Sequence, residues 1–115
     1  MKAMNKEAAL ERIGGDEELL VDLGQIFDNE CPKMFAEIHE AESAEDAEKL
    51  CGAAHRLKGA ASMFCAERAS KAALDLEELA RAGDIASARA MSGGVEREME
   101  KLRAELRQLS QMTRQ

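Results

Sequence analysis

The sequence predicts an all-α protein, an antiparallel four-helix bundle preceded by one short additional N-terminal helix, within a single domain spanning residues 1–115. Three observations lead there. Twenty-one of the 115 residues are Ala, one is Pro, and aromatics make up 3% with no Trp or Tyr. Good helix formers therefore dominate, and the residues that favour strands are scarce. Apolar residues recur at spacings of three and four, the mark of helices with one buried stripe. Short punctuation rather than long Pro/Gly/Ser linkers divides the segments, which suits helices that return alongside one another.

The first helix is expected over about Met4 to Ile13, with Ala8, Ala9 and Ile13 toward one side, and it stops at Gly14-Gly15. Asp16 then caps a long second helix whose first turn carries Glu17 and Glu18, where acids suit the helix dipole. Its stripe is Leu19, Leu20, Leu23, Ile26, Phe27, Cys31, Met34, Phe35 and Ile38. The stripe keeps phase across Pro32, so a kink rather than a break is expected there. Ser43 is expected to start the third helix, with Asp46 three residues on as a capping-box partner, and that helix runs to about Phe64. A fourth helix, about Ala66 to Ala82, buries Ala69, Ala72, Ala73, Leu76, Leu79 and Ala80 and ends at Gly83. Asp84 caps the last helix, with Val95, Met99, Leu102, Leu106 and Leu109 as its seam and a bend or fraying expected at Ser92-Gly93-Gly94.

Charge and composition narrow the function classes. The net charge of -7 argues against binding to a nucleic-acid backbone, which calls for a basic face. No stretch approaches the roughly 18–20 apolar residues that span a bilayer. The opening Met1-Lys2-Ala3-Met4-Asn5-Lys6 lacks the apolar core of a signal peptide, which predicts a cytoplasmic protein. Cys31, Cys51 and Cys65 are odd in number and irregular in spacing, as reduced cytoplasmic thiols filling small core positions would be.

The third helix carries the residues that point to chemistry. At about 100° per residue, with Ala54 at zero, Ala47, Leu50, Cys51, Leu57, Ala61 and Phe64 fall within roughly ±80° and form the core stripe. His55 lies just outside it at about +100°, with Lys58 at about +40°, Ser62 at about +80°, Gly59 at about +140° and Gly52 at about +160°. The imidazole therefore stands on the surface between two glycines and beside a lysine. Each glycine costs about 1 kcal/mol relative to Ala inside a helix. Clearance for an approaching protein surface is one use for them, and tight helix–helix packing is the other. Both point away from the predicted core, which favours clearance. A histidine with an unperturbed pKa of about 6.5 offers a neutral, nucleophilic nitrogen near neutral pH, suited to reversible phosphoryl transfer. Lys58 can offset part of the phosphoryl charge.

The run Ala54-His55-Arg56-Leu57-Lys58-Gly59-Ala60-Ala61-Ser62-Met63-Phe64 resembles the signature of histidine-containing phosphotransfer (HPt) domains, A-H-x-L-K-G-x-(A/S) around a phosphorylated histidine. The segments Ile13 to Leu20, Phe27 to Phe35 with Pro32, and Ala82-Gly83-Asp84 are similar to the family's opening, the middle of its long helix and its later turn. Cys65 departs from the pattern, because the family usually has Gly there. The resemblance implies a phosphorylated His55, an assisting Lys58 and a docking surface at Gly59, to which Gly52 and Ser62 are added from the same side of the helix. It further implies a monomeric carrier without a nucleotide site or cofactor of its own. Such a carrier relays phosphoryl groups to and from response-regulator receiver domains or a hybrid histidine kinase, and the receiver supplies Mg²⁺.

Other readings are weaker on the residues. Cys51 and His55 at i, i+4 have ligand-capable spacing, but Cys51 lies in the core stripe and no further Cys or His completes a set. A purely structural interaction bundle leaves the two glycines unexplained. The phosphotransfer domain of a chemotaxis-type histidine kinase stays within the same family, and Phe64 also occurs in that branch. His39, flanked by Glu37, Glu40 and Glu42, reads as a solvated helix residue, and Asp75, Glu77 and Glu78 read as a solvated face, with a cation bound between paired acids as the alternative.

Overall fold

A computed structural model describes residues 2–113, so Met1 and residues 114–115 of the expected 1–115 domain lie outside the described residues. Five helices follow in order: α1 (Lys6–Arg12), α2 (Glu17–Ser43), α3 (Ala47–Met63), α4 (Glu67–Arg81) and α5 (Ile85–Thr113). No strand occurs among the described residues. Helix α2 packs on α3 and α5, and α4 packs on the same two, so the long helices close a ring around one core. Helix α1 lies against α2. The molecule is 44 Å long, close to the roughly 43 Å expected of a helix as long as α5. No helix among the described residues is long and apolar enough to cross a membrane.

All four connections use one device. An amide three residues past the helix bonds back to a carbonyl five residues earlier: Gly15 to Leu10, Asp46 to Ala41, Ala66 to Ala61 and Asp84 to Leu79. In each turn the residue just before that amide lies in the left-handed region, namely Gly14, Glu45, Cys65 and Gly83. This is the Schellman ending, and glycine suits its left-handed position best. Cys65, where the HPt pattern has Gly, holds that conformation at φ 51°.

The start of the third helix differs from expectation. Ser43 is the last residue of α2, the chain turns at Glu45, and Asp46 is the cap, its side chain accepting the Lys49 amide at 3.0 Å. The Ala41 and Glu42 side chains are still buried, so packing carries α2 past the serine that capping preference alone would have chosen. Asp16 and Asp84 cap as expected, accepting from the Leu19 and Ser87 amides. Asn5 caps α1, which leaves Met4 outside that helix.

Helix α2 is continuous through Pro32, and α5 is continuous through Ser92-Gly93-Gly94 without the expected fraying. There the Ser92 hydroxyl is buried against the Glu42 carboxylate and bonds to the Ala88 carbonyl, which ties the segment to α2. The α5 seam residues are all buried, as are Leu50, Leu57, Ala61 and Phe64 of the third-helix stripe. Phe27 and Phe64 meet edge to face at 5.5 Å. Leu19 and Ile26 leave the expected α2 stripe for solvent, and Val21 and Gly24 take inward positions. A Cβ on Gly24 would sit 3.1 Å from Leu106, so this is the glycine that packing requires. All three cysteines are free, and burial pushes the Cys31 thiol up to about 12.

The turn geometry generates a stability prediction. Glu45 is exposed and holds φ 52°, a conformation costing roughly 1–2 kcal/mol for a residue with a Cβ. Glycine removes that strain and adds back roughly 0.5–1 kcal/mol of unfolded-state entropy. Glu45→Gly should raise unfolding stability by about 0.5–1 kcal/mol in chemical denaturation. A loss of that size would show that the Glu45 side chain contributes more than its backbone strain costs.

Candidate functional site

Helix α3 brings His55 to the surface because Ala54 and Leu57 on either side of it belong to the buried stripe. The ring is 64% exposed. Its Nδ1 lies 2.9 Å from Oε2 of Glu77, a residue of α4 whose side chain is buried. The same carboxylate accepts the Lys58 ammonium on Oε1 at 2.8 Å and the Arg81 guanidinium on Oε2 at 2.9 Å. Three cation-capable groups thus converge on one buried carboxylate.

Glu77 belongs to the run read as a solvated face, and the structure corrects that reading. A buried carboxylate is tolerated only when donors satisfy it, and Glu77 has three. Its sequence position held the signal. It falls four residues after Ala73 and three before Ala80, in phase with the buried stripe of α4. The hydrogen bond from Lys58 holds its carboxyl below the usual 4.5 against the opposing effect of burial, and the His55 hydrogen bond adds to it.

The tautomer follows from the partner. An ionised carboxylate can only accept, so Nδ1 carries the proton and the neutral ring keeps its lone pair on Nε2. No hydrogen bond to Nε2 occurs among the described residues. His39 is differently placed. Its Nδ1 lies 3.5 Å from Glu42 and its Nε2 2.5 Å from Glu96, so it is a carboxylate-paired residue rather than a merely solvated one.

The glycines differ from one another. A Cβ on Gly59 would meet nothing within 4 Å, and one on Gly52 would make only an ordinary 3.7 Å contact with the end of Arg56. Neither position is required by packing. The Ser62 hydroxyl is half-buried, donates to the Lys58 carbonyl at 2.9 Å and lies 3.1 Å from the Ser70 hydroxyl. On the other side of Gly59, an open groove of about 320 Å³ between α2 and α3 is lined by Leu23, Ile26, Phe27, Met34, Ala60 and Met63. Ile26 is 59% exposed and Met63 44%. Among the described residues, no three His, Cys, Asp or Glu side chains form a group that could hold a metal ion, and Cys51 is half-buried.

The converged carboxylate sets how stability responds to acid. A carboxyl held below its ordinary value stabilises the fold above that value and loses the contribution as pH falls through the folded one. Glu77→Gln should therefore be less stable than the parent at pH 7 by about 1.5–3 kcal/mol, the range for hydrogen bonds to a charged group. The gap should close as pH falls below the ordinary 4.5. Denaturant unfolding of both proteins at pH 7 and pH 3 checks this, and a gap equal at both pH values would contradict it.

Comparison with known proteins agrees with this geometry. The Hpt domain family matches residues 22–111. The fold is similar to the crystal structure of histidine-containing phosphotransfer protein B (HptB) from Pseudomonas aeruginosa PAO1. The TM-score is 0.87 at 26% identity, covering 96% of each chain. No curated protein matches the sequence. With a family match over most of its length, an all-helical fold and a surface histidine in that family's signature, the chain belongs to the Hpt domain family of histidine phosphotransfer proteins that act in phosphorelays.

Proposed function

We propose that His55 is the residue that carries the phosphoryl group, taking it from and returning it to receiver-domain aspartates. The observation that supports this is the ring itself: Nδ1 is occupied by Glu77 and Nε2 has no partner among the described residues. In the transfer, the Nε2 lone pair attacks the phosphorus of an aspartyl phosphate. The new N–P bond forms as the bond to the aspartate oxygen breaks, and the electron pair leaves with the carboxylate. The ring gains positive charge as its lone pair is used, and the Glu77 carboxylate at Nδ1 opposes that charge while the proton stays in place. Reversal follows, because the imidazole is also a good leaving group: a receiver carboxylate attacks the phosphorus, the N–P bond breaks and its electron pair returns to Nε2. Lys58 is placed to offset phosphoryl charge, and the receiver supplies the Mg²⁺.

The docking surface in this reading is the open α3 shell around Gly59, with Gly52 and Ser62 near its edge. At about 100° per residue, Gly59 lies between His55 and the Met63–Arg56 side of the helix. A partner seated over Gly59 then covers the reactive nitrogen and the Ile26–Met63 groove together. The fold reading is an antiparallel four-helix bundle with a short N-terminal helix, supported by turns that leave no room for a crossover between successive helices. The protein acts as a single-domain, monomeric, cytoplasmic carrier rather than an enzyme with its own nucleotide site. The charge of -7 disfavours nucleic acid.

Incubation with a phosphorylated receiver should label the parent protein and His39→Gln, and leave His55→Gln unlabelled. Labelling of His55→Gln would overturn the assignment. Labelling only by a kinase catalytic domain, never by a receiver, would move the protein to the chemotaxis-kinase branch. Gly59→Gln should slow transfer at least tenfold while helical content and melting temperature hold or rise, because Gly is the poorer helix former. Lys58→Ala should slow transfer without abolishing it, since a charge-assisted contact contributes roughly 1.5–3 kcal/mol at most. Complete inactivity in folded Lys58→Ala would assign Lys58 more than charge compensation.

A further inference from the structure

An ion pair borders the docking face and takes no part in the chemistry proposed above. Arg56 follows His55 in the chain and donates from Nη2 to Oε2 of Glu37 on α2 at 2.6 Å. Its side chain is 59% exposed, and its Nε and Nη1 make no hydrogen bond among the described residues. The guanidinium lies back over Gly52, with Nη1 3.7 Å from where a Cβ there would stand. At about 100° per residue, both Gly59 and Gly52 fall between His55 and Arg56 around α3. The strip from the ring to the guanidinium is therefore bare helix backbone, which one partner surface can cover. Arg56 and Glu37 also line the apolar groove that holds Ile26 and Met63.

We propose that Arg56 is a specificity-determining residue of the docking face, whose unengaged guanidinium edge takes a carboxylate of the receiver while Glu37 holds the side chain against α2. This rests on the reading of His55 as the acceptor from receiver aspartates. Charge supplies the reason. The reacting face of such a receiver is anionic by its own chemistry, since it carries an aspartyl phosphate and the carboxylates that hold Mg²⁺. This chain has a net charge of -7, so a cation is needed where the two surfaces meet. Lys58 and Arg81 are both bound to Glu77, whereas Glu37 occupies only one nitrogen of Arg56. A guanidinium presents five N–H donors in a planar fork, so a second carboxylate can join without breaking the first contact. An exposed ion pair contributes little to folding, so a simple tie between α2 and α3 leaves its place beside the ring unexplained. A receiver with an acid opposite Arg56 is then favoured, and one with a cation there is rejected.

The two members of the pair separate a docking role from a structural one. The experiment is a calorimetric binding titration of the parent, Arg56→Gln, Arg56→Glu and Glu37→Gln. The probe is a receiver domain held in its phosphoryl-like state by beryllofluoride and Mg²⁺. Arg56→Gln should raise Kd about two- to fivefold, the range for an exposed charge pair, and Arg56→Glu should raise it further. Glu37→Gln should instead lower Kd by up to about twofold, because it removes an acid beside an anionic partner and leaves Arg56 charged. These differences should shrink in about 1 M salt. Equal weakening in Arg56→Gln and Glu37→Gln would overturn the proposal, since loss of a structural tie affects both alike. So would parent-like binding of Arg56→Glu. Labelling of the parent by the phosphorylated receiver is read separately. A parent that binds the receiver but is never labelled would remove the acceptor reading and leave the Arg56 comparison standing, whereas a parent that binds no receiver would overturn both.

Discussion

Between α3 and α4 the buried positions are mostly small, with Ala53, Ala54 and Ala61 on one helix and Ala69, Ala73 and Ala80 on the other. These two helices have the most extensive close backbone approach in the molecule. Small side chains permit that approach, and the approach leaves no water for a polar group caught between the helices. Glu77 is such a group. Its charge must be met within the protein, and the groups that meet it are His55 and Lys58 from α3 and Arg81 from its own helix. Orientation of the histidine, placement of the lysine and burial of the carboxylate are thus one arrangement, held by the closeness of two alanine-rich faces.

A second constraint comes from the turns. One Schellman geometry repeats at all four connections, yet only two of them place glycine at the left-handed residue. The turn into α4 carries the largest local cost. Cys65 stands in the left-handed position, and Ala66 provides no side-chain cap. Packing holds that turn in place, with Phe64 and Ala66 both buried and Arg12 of α1 donating to the Ser62 carbonyl. The short N-terminal helix therefore supports the C-terminal end of the helix that carries His55.

The two histidines sit in different environments. His39 has a carboxylate at each ring nitrogen, which suits a link between α2 and α5 and leaves neither nitrogen for a reactant. His55 has one nitrogen held and one without a partner among the described residues. On the proposed reading of His55 as the phosphoryl carrier this asymmetry matters, since phosphoryl exchange calls for a fixed ring with an accessible lone pair.

Much of the protein was legible in the residues alone. Helix content, most of the buried stripes, the caps at Asp16 and Asp84, and the surface position of His55 beside open glycines depend on near neighbours along one helix, which periodicity and propensity report directly. Ser43 misled because capping preference is local, whereas the extent of α2 was decided by burial of Ala41 and Glu42 against other helices. Ile26 reads as core by spacing, but the rotation of α2 in the bundle turns it outward into the groove. Glu77 lies in phase with the Ala73–Ala80 stripe, so its burial could be read from sequence. Its partners on α3, 19 and 22 residues away, could not. Which cation meets which carboxylate oxygen depends on the relative rotation and register of two helices, and those are set by the packing of the whole core.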